Sequence, residues 1–206
     1  HLVSERQEKG INHYWLPVEQ LYDLSKIAPS LIDPGPAEGV FLSATPDLVL
    51  FADGCPVSSL AAKQYCSQHE IPFAVLVHCV FEGWALDYRD FLAELADYYR
   101  QARAVIAVSR ANLDLLHTHF GLDSDKGQVI YNGRPEAFFA PVDALVREQA
   151  RQSLGIAGDA IRCLSIGRME LAKGYQYQLE TMRKLSAMPC WEDLQFVWIG
   201  NGTLQQ

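Results

Sequence analysis

No CxxC pair, no stripe of Lys or Arg and no internal repeat occurs in this 206-residue sequence, and no apolar run reaches the roughly 18 residues of a membrane helix. Each absence removes a class of protein. The five cysteines, Cys55, Cys66, Cys79, Cys163 and Cys190, form an odd, scattered set. That fits neither a disulfide framework nor a structural zinc site, and reads as reduced, mostly buried thiols. Without a long apolar run, no integral membrane span is expected. The start, His1 and then a charged stretch, has no signal-peptide pattern, so the expected compartment is the cytoplasm, peripheral to a membrane at most. His117 and His119 stand two apart and would point to different sides of a helix, a poor metal pair, and no metal is expected. Residues 1–137 hold 10 Lys+Arg against 18 Asp+Glu, and residues 138–206 hold 7 against 7. An acidic chain without clustered cations cannot drive binding by counterion release, so nucleic acid is not an expected partner.

What is present is apolar residue in quantity, 49% of the chain, enough for one large domain or two modest ones. Continuous apolar runs at 47–52 (DLVLFA), 73–78 (FAVLVH), 104–108 (AVIAV), 161–166 (IRCLSI) and 194–199 (LQFVWI) predict buried strands. A weaker strand signal lies at 12–18, before a helical spacing at 19–28, and a proline- and glycine-rich turn at 29–38 precedes a short helix through 43. Between the strong strands, the spacing predicts a helix over 56–69 with Pro56 in its first turn, and a long one over 87–102. A third opens at Ser109, a good N-cap, and stops at Gly121. A short strand at 128–131 precedes the Asn132-Gly133 turn. This alternation predicts an α/β fold with parallel sheets covered on both faces. Residues 1–137 read as most of one Rossmann-like domain, 138–158 as a linker with a short helix at 143–154, and 159–206 as the start of a second such domain. Two strands do not make a sheet of ordinary size, so that second domain is expected only in part.

The chemistry concentrates at 161–174, IRCLSIGRMELAKG, where a strand stops at Gly167 and Arg168 and Lys173 follow before a helix that Gly174 helps to open. A helix N-terminus points free N–H groups and partial positive charge outward, so two cations beside it suit a diphosphate. A solvated turn with two ordinary surface cations is the other reading of the same residues. In open parallel sheets ligands collect outside the carboxyl ends of strands, and there stand His78, Ser109, Gly167-Arg168 and Gly200-Asn201-Gly202. Two sheets joined by a linker predict a cleft lined by His78 on one side and Arg168 and Lys173 on the other.

Taken in order, AVIAVSRANLDLL, VIYNGRPEAFFAP, LSIGRMELAKG and FVWIGNG, between 104 and 202, resemble the retaining two-Rossmann (GT-B) glycosyltransferases of family 4. PDLVLFADG and IPFAVLVH resemble the same family's acceptor domain more loosely. The resemblance implies transfer of a sugar from a nucleotide-diphosphate sugar to a sugar, lipid or small-molecule acceptor, with retention at the anomeric carbon. It implies no cofactor and no essential metal beyond that donor. It assigns the donor diphosphate to Arg168 and Lys173 and the transferred sugar to His78. Gly167, Gly174, Gly200, Asn201 and Gly202 become the donor-binding loops.

Two family features have no counterpart here: the glycine-rich first turn of the amino-terminal domain and a pair of glutamates eight positions apart. The chain therefore reads as an internal fragment of a longer enzyme. Gly200-Asn201-Gly202 is also half of a dinucleotide fingerprint whose third glycine is absent, which keeps an NAD-dependent oxidoreductase as an alternative. A non-catalytic binding or scaffold protein of the same fold is the other.

Overall fold

The computed structural model describes residues 2–12, 32–156 and 160–205. The expected strand at 12–18 and helix at 19–28 fall, but for residue 12, outside them. The chain divides into two compact units, His1–Gly133 and Arg134–Gln206.

The first unit runs through helices α1 (Leu2–Glu8) and α2 (Gly35–Ala44), strand β1 (Val49–Asp53), α3 (Leu60–Gln68) and β2 (Phe73–Val77). It continues with α4 (Gly83–Asp87), α5 (Leu92–Gln101), β3 (Val105–Ala107), α6 (Arg110–His119) and β4 (Gln128–Val129). The four strands lie side by side in chain order, all parallel. Their register sets Asp53 beside Val77, Val77 beside Ala107 and Ala107 beside Val129, so the strands end along one edge. His78 and Ser109 come just beyond it.

The β-branched and aromatic residues that predicted these strands are the ones that build the core. Phe51, Val75, Val77 and Val105 pack with Leu60, Leu95, Tyr99, Leu113 and Leu116 from α3, α5 and α6. Burial alternates along each strand, with Phe51 and Asp53, then Phe73, Val75 and Val77, then Val105 and Ala107 inside. On the opposite face Leu50 is 59% exposed. Cover on both faces was the sequence expectation; among the described residues the sheet is buried on one.

Two helix boundaries also differ from the expectation. Pro56 does not open α3: residues 56–59 form a turn in which Ser58 N–H donates to the Cys55 carbonyl at 3.0 Å. Ser59 then sits at φ 57°, a left-handed conformation that no α-helix interior accommodates. The helix expected over 87–102 starts later, as α5 at Leu92, because α4 ends at Asp87 and a 3₁₀ turn at Arg89–Phe91 separates the two. The break at Tyr88, with φ −112° and ψ 22°, leaves that residue 1% exposed in the core. At Ser109 the expectation holds, since its Oγ accepts from Asn112 N–H at 3.1 Å and caps α6.

The second unit begins with a 3₁₀ turn (Glu136–Phe139) and α7 (Ala144–Ser153), capped by Asp143 Oδ1, which accepts from the N–H groups of Leu145 and Val146 at 2.8 and 3.2 Å. Strand β5 (Ile161–Ile166), α8 (Tyr175–Leu185) and β6 (Leu194–Ile199) follow. The strands pair in parallel from Ile161↔Leu194 to Ile166↔Ile199. Helix α8 covers one face: Ser165 Oγ and Trp198 Nε1 both donate to Gln178 Oε1, at 2.9 and 2.8 Å, and the Tyr175 and Trp198 rings meet edge to face. On the other face Leu164, Ile166 and Ile199 are exposed. Burial of β5 on both faces, expected from its apolar run, does not hold among the described residues. A run of apolar residues reports that a strand has two apolar faces, and this sheet packs only one of them against α8.

Candidate functional site

The loop that leaves β5 is held by the loop that leaves β6. Parallel pairing continues past both strand ends: Gly167 N–H donates to the Ile199 carbonyl at 3.0 Å, and Met169 N–H to the Asn201 carbonyl at 2.8 Å. Leu204 N–H donates to the Met169 carbonyl at 3.0 Å, and Thr203 Oγ1 donates to Glu170 Oε2 at 2.8 Å. A 3₁₀ turn, Leu171–Lys173, carries the chain to Gly174 at φ 73°, and α8 starts there. Helical spacing alone placed Lys173 at the helix opening, whereas the α-helix begins two residues later because the left-handed Gly174 intervenes. The Tyr175 hydroxyl, donating to the Gly167 carbonyl at 3.2 Å, ties the first residue of α8 back to the loop.

Arg168 and Lys173 both lie exposed on this loop, and among the described residues neither side chain has a hydrogen-bond or ion-pair partner. Two unneutralised cations beside the N-terminus of an eleven-residue helix form a surface with charge available for an anion.

Gly200 and Gly202 have a local reason to be glycine. A Cβ on Gly200 would stand 1.8 Å from the Gly167 carbonyl oxygen, and one on Gly202 would stand 2.4 Å from that of Met169. Their φ values, 152° and 158°, are ones that side-chain-bearing residues rarely adopt. Gly200→Ala is therefore expected to push the two loops apart and destabilise the second unit by at least about 1–3 kcal/mol, read as an earlier urea midpoint. An unchanged midpoint would show that the loops are not packed as described.

In the first unit, His78 is exposed just past β2. Its position is fixed by the backbone: His78 N–H donates to the Asp53 carbonyl at 2.9 Å, and the His78 carbonyl accepts from Asn112 Nδ2 at 3.1 Å. The imidazole is thus held at the carboxyl edge of the sheet and is no core histidine. Of the other two histidines weighed, His117 Nε2 meets the Lys126 carbonyl at 2.8 Å and His119 Nε2 lies 3.8 Å from Glu82.

Beneath that edge is a feature the sequence reading missed. Asp53 and Lys63 are both fully buried, with Lys63 Nζ donating to Asp53 Oδ2 and to the Ser58 carbonyl, each at 2.5 Å. The ammonium also lies 5.2 Å from the centre of the Phe51 ring. Burial pushes the Asp53 carboxyl above its ordinary value, opposed by the Lys63 charge. Burial likewise pushes Lys63 down, opposed by Asp53. Among the described residues Asp53 Oδ1 and the hydroxyls of Tyr88 and Tyr99 are buried without a hydrogen-bond partner. The Tyr99 hydroxyl is held well above its usual range by burial and then by the Asp53 charge. One signal was available: Lys63 stands three residues after Leu60, on the stripe with Ala61, Tyr65 and Cys66 that α3 buries. A lysine there requires a partner.

Two α/β units, each built on a parallel sheet, are the elements of the two-Rossmann, GT-B fold. A structure of HepE from Anabaena, in complex with UDP and glucose, matches 98% of this chain with 51% of its own at 18% identity and a TM-score of 0.67. A second HepE structure, in complex with UDP, matches 84% of the chain with 52% of its own at 17% identity and a TM-score of 0.56. An S. aureus MnaA–UDP structure matches 96% with 51% of its own at 18% identity and a TM-score of 0.50. At these identities the likeness is one of fold, and the chain spans about half the length of the structures it matches. The family model for glycosyltransferase family 4 matches residues 5–137. The chain belongs to glycosyltransferase family 4. No curated protein matches it. Among the described residues no helix is long and apolar enough to cross a membrane.

Proposed function

We propose that this chain serves a glycosyltransferase that moves a sugar from a nucleotide-diphosphate sugar to a sugar, lipid or small-molecule acceptor, with retention at the anomeric carbon. The observation that carries the reading is the loop 167–174, on which Arg168 and Lys173 stand exposed and unpaired among the described residues, beside the start of α8. Breaking a glycosyl phosphate bond leaves negative charge on the departing diphosphate. Prepositioned cations and helix N–H groups stabilise that charge as it grows. Gly167 and Gly174 bound the loop, and Gly200, Asn201 and Gly202 brace it from the β6 side. His78, on the first unit, is assigned to the transferred sugar. Support comes from family membership over residues 5–137 and from the HepE and MnaA structures, which carry UDP.

The test is direct binding of UDP, GDP and NAD to the full-length protein, followed by calorimetry or fluorescence, with Lys173→Ala beside it. A nucleoside diphosphate is expected to bind, and Lys173→Ala to weaken it. Preference for NAD would return the oxidoreductase reading, and binding of none of the three would favour a non-catalytic scaffold.

A further inference from the structure

Glu170 is the sole carboxylate between Gly167 and Gly174. It stands two residues after Arg168 and three before Lys173, on the same loop. A carboxylate so placed would be expected to pair with one of them and cancel the charge an anion needs. Instead Glu170 Oε2 accepts a hydrogen bond from Thr203 Oγ1 at 2.8 Å, across from the turn that follows β6. Among the described residues both cations remain without a partner. The Met169 carbonyl accepts from Leu204 N–H beside this contact, so backbone bonding holds the two loops in the register that brings hydroxyl and carboxylate together.

We propose that Thr203 is a positioning residue: its hydroxyl latches Glu170 onto the β6 loop and so keeps Arg168 and Lys173 available for the anionic ligand. The inference rests on the reading of loop 167–174 as a diphosphate site. A merely structural role for Thr203 predicts that its loss cannot be cured by removing Glu170. The latch predicts that it can, because the harm comes from the released carboxylate.

Inorganic pyrophosphate serves as the probe, titrated calorimetrically into the full-length protein. Thr203→Val is expected to weaken pyrophosphate about three- to fivefold, the scale on which one exposed ion pair acts. Thr203→Ser, which keeps the hydroxyl, should bind like the parent. Glu170→Ala combined with Thr203→Val should restore parental affinity or exceed it. If Thr203→Val binds like the parent, or if Glu170→Ala fails to rescue it, the latch is wrong. Arg168→Ala and Lys173→Ala separate that failure from failure of the underlying reading. Pyrophosphate affinity insensitive to both of these removes the diphosphate site itself, and sensitivity to both with an inert Thr203→Val removes the latch alone.

Discussion

Arg168→Ala and Lys173→Ala are each expected to lower kcat by roughly 10²- to 10³-fold, about 3–4 kcal/mol, by analogy with loss of one oxyanion donor. Diphosphate charge grows as the glycosidic bond breaks, so a cation at that point stabilises the transition state more than the bound donor. Turnover should fall further than acceptor binding weakens. Lys173→Arg should restore part of the rate, because a loop that offers one ammonium is shaped for a compact charge and a guanidinium is broader and forked. Steady-state rates across nucleotide sugars, measured on the full-length protein, provide the check. Near-parental kcat and donor KM in both alanine variants would reduce the loop to a solvated turn.

A loss of stability of about 3–5 kcal/mol is expected for Lys63→Met, because removing one partner leaves the fully buried Asp53 carboxylate uncompensated. Set against a total stability of about 5–15 kcal/mol, that is a large share. Replacing both partners, Asp53→Leu with Lys63→Met, should cost less than Lys63→Met alone, since no charge then remains to desolvate. The pH dependence has a definite sign. Burial already raises the Asp53 carboxyl above 3.8, and Lys63 supplies the main opposing effect. In Lys63→Met the folded-state value rises further. A carboxyl raised on folding favours the folded state fully below its unfolded value, and that contribution is lost as pH rises. The deficit of Lys63→Met should therefore be smallest near pH 4 and grow toward neutrality. Urea denaturation across that range gives the answer, and a deficit that shrinks with rising pH would contradict the assignment. Because the Asp53 backbone carbonyl accepts from His78 N–H, a shift of Asp53 in Lys63→Met is expected to disturb the sheet edge that carries His78.

Local pattern was enough to locate β1, β2, β3, β5 and β6, the Ser109 cap and the Gly167–Gly174 loop, because each depends on residues close together in sequence. Apolar run length, side-chain capping and glycine placement act over a few residues, and these need no knowledge of the partner. Ser59 shows where even local reading fails. Its left-handed φ is imposed by the turn that leads Lys63 inward, and serine has no intrinsic preference that announces it.

Tertiary structure alone decided which faces are covered and which charges are spent. The runs in β1 and β5 are apolar on both sides, yet Leu50, Leu164 and Ile166 remain exposed, because burial depends on what packs against a face. Asp53 and Lys63 are ten residues apart and Thr203 and Glu170 thirty-three. Sequence identifies these as charged or polar residues with nothing to join them. The fold brings the first pair together inside the core, where low polarity makes each indispensable to the other. It brings the second together across two loops whose glycines permit the approach. Arg168 and Lys173 could be named from sequence as candidates for an anion; that, among the described residues, they stand without a carboxylate partner while Glu170 accepts from Thr203 is a property of the folded loops.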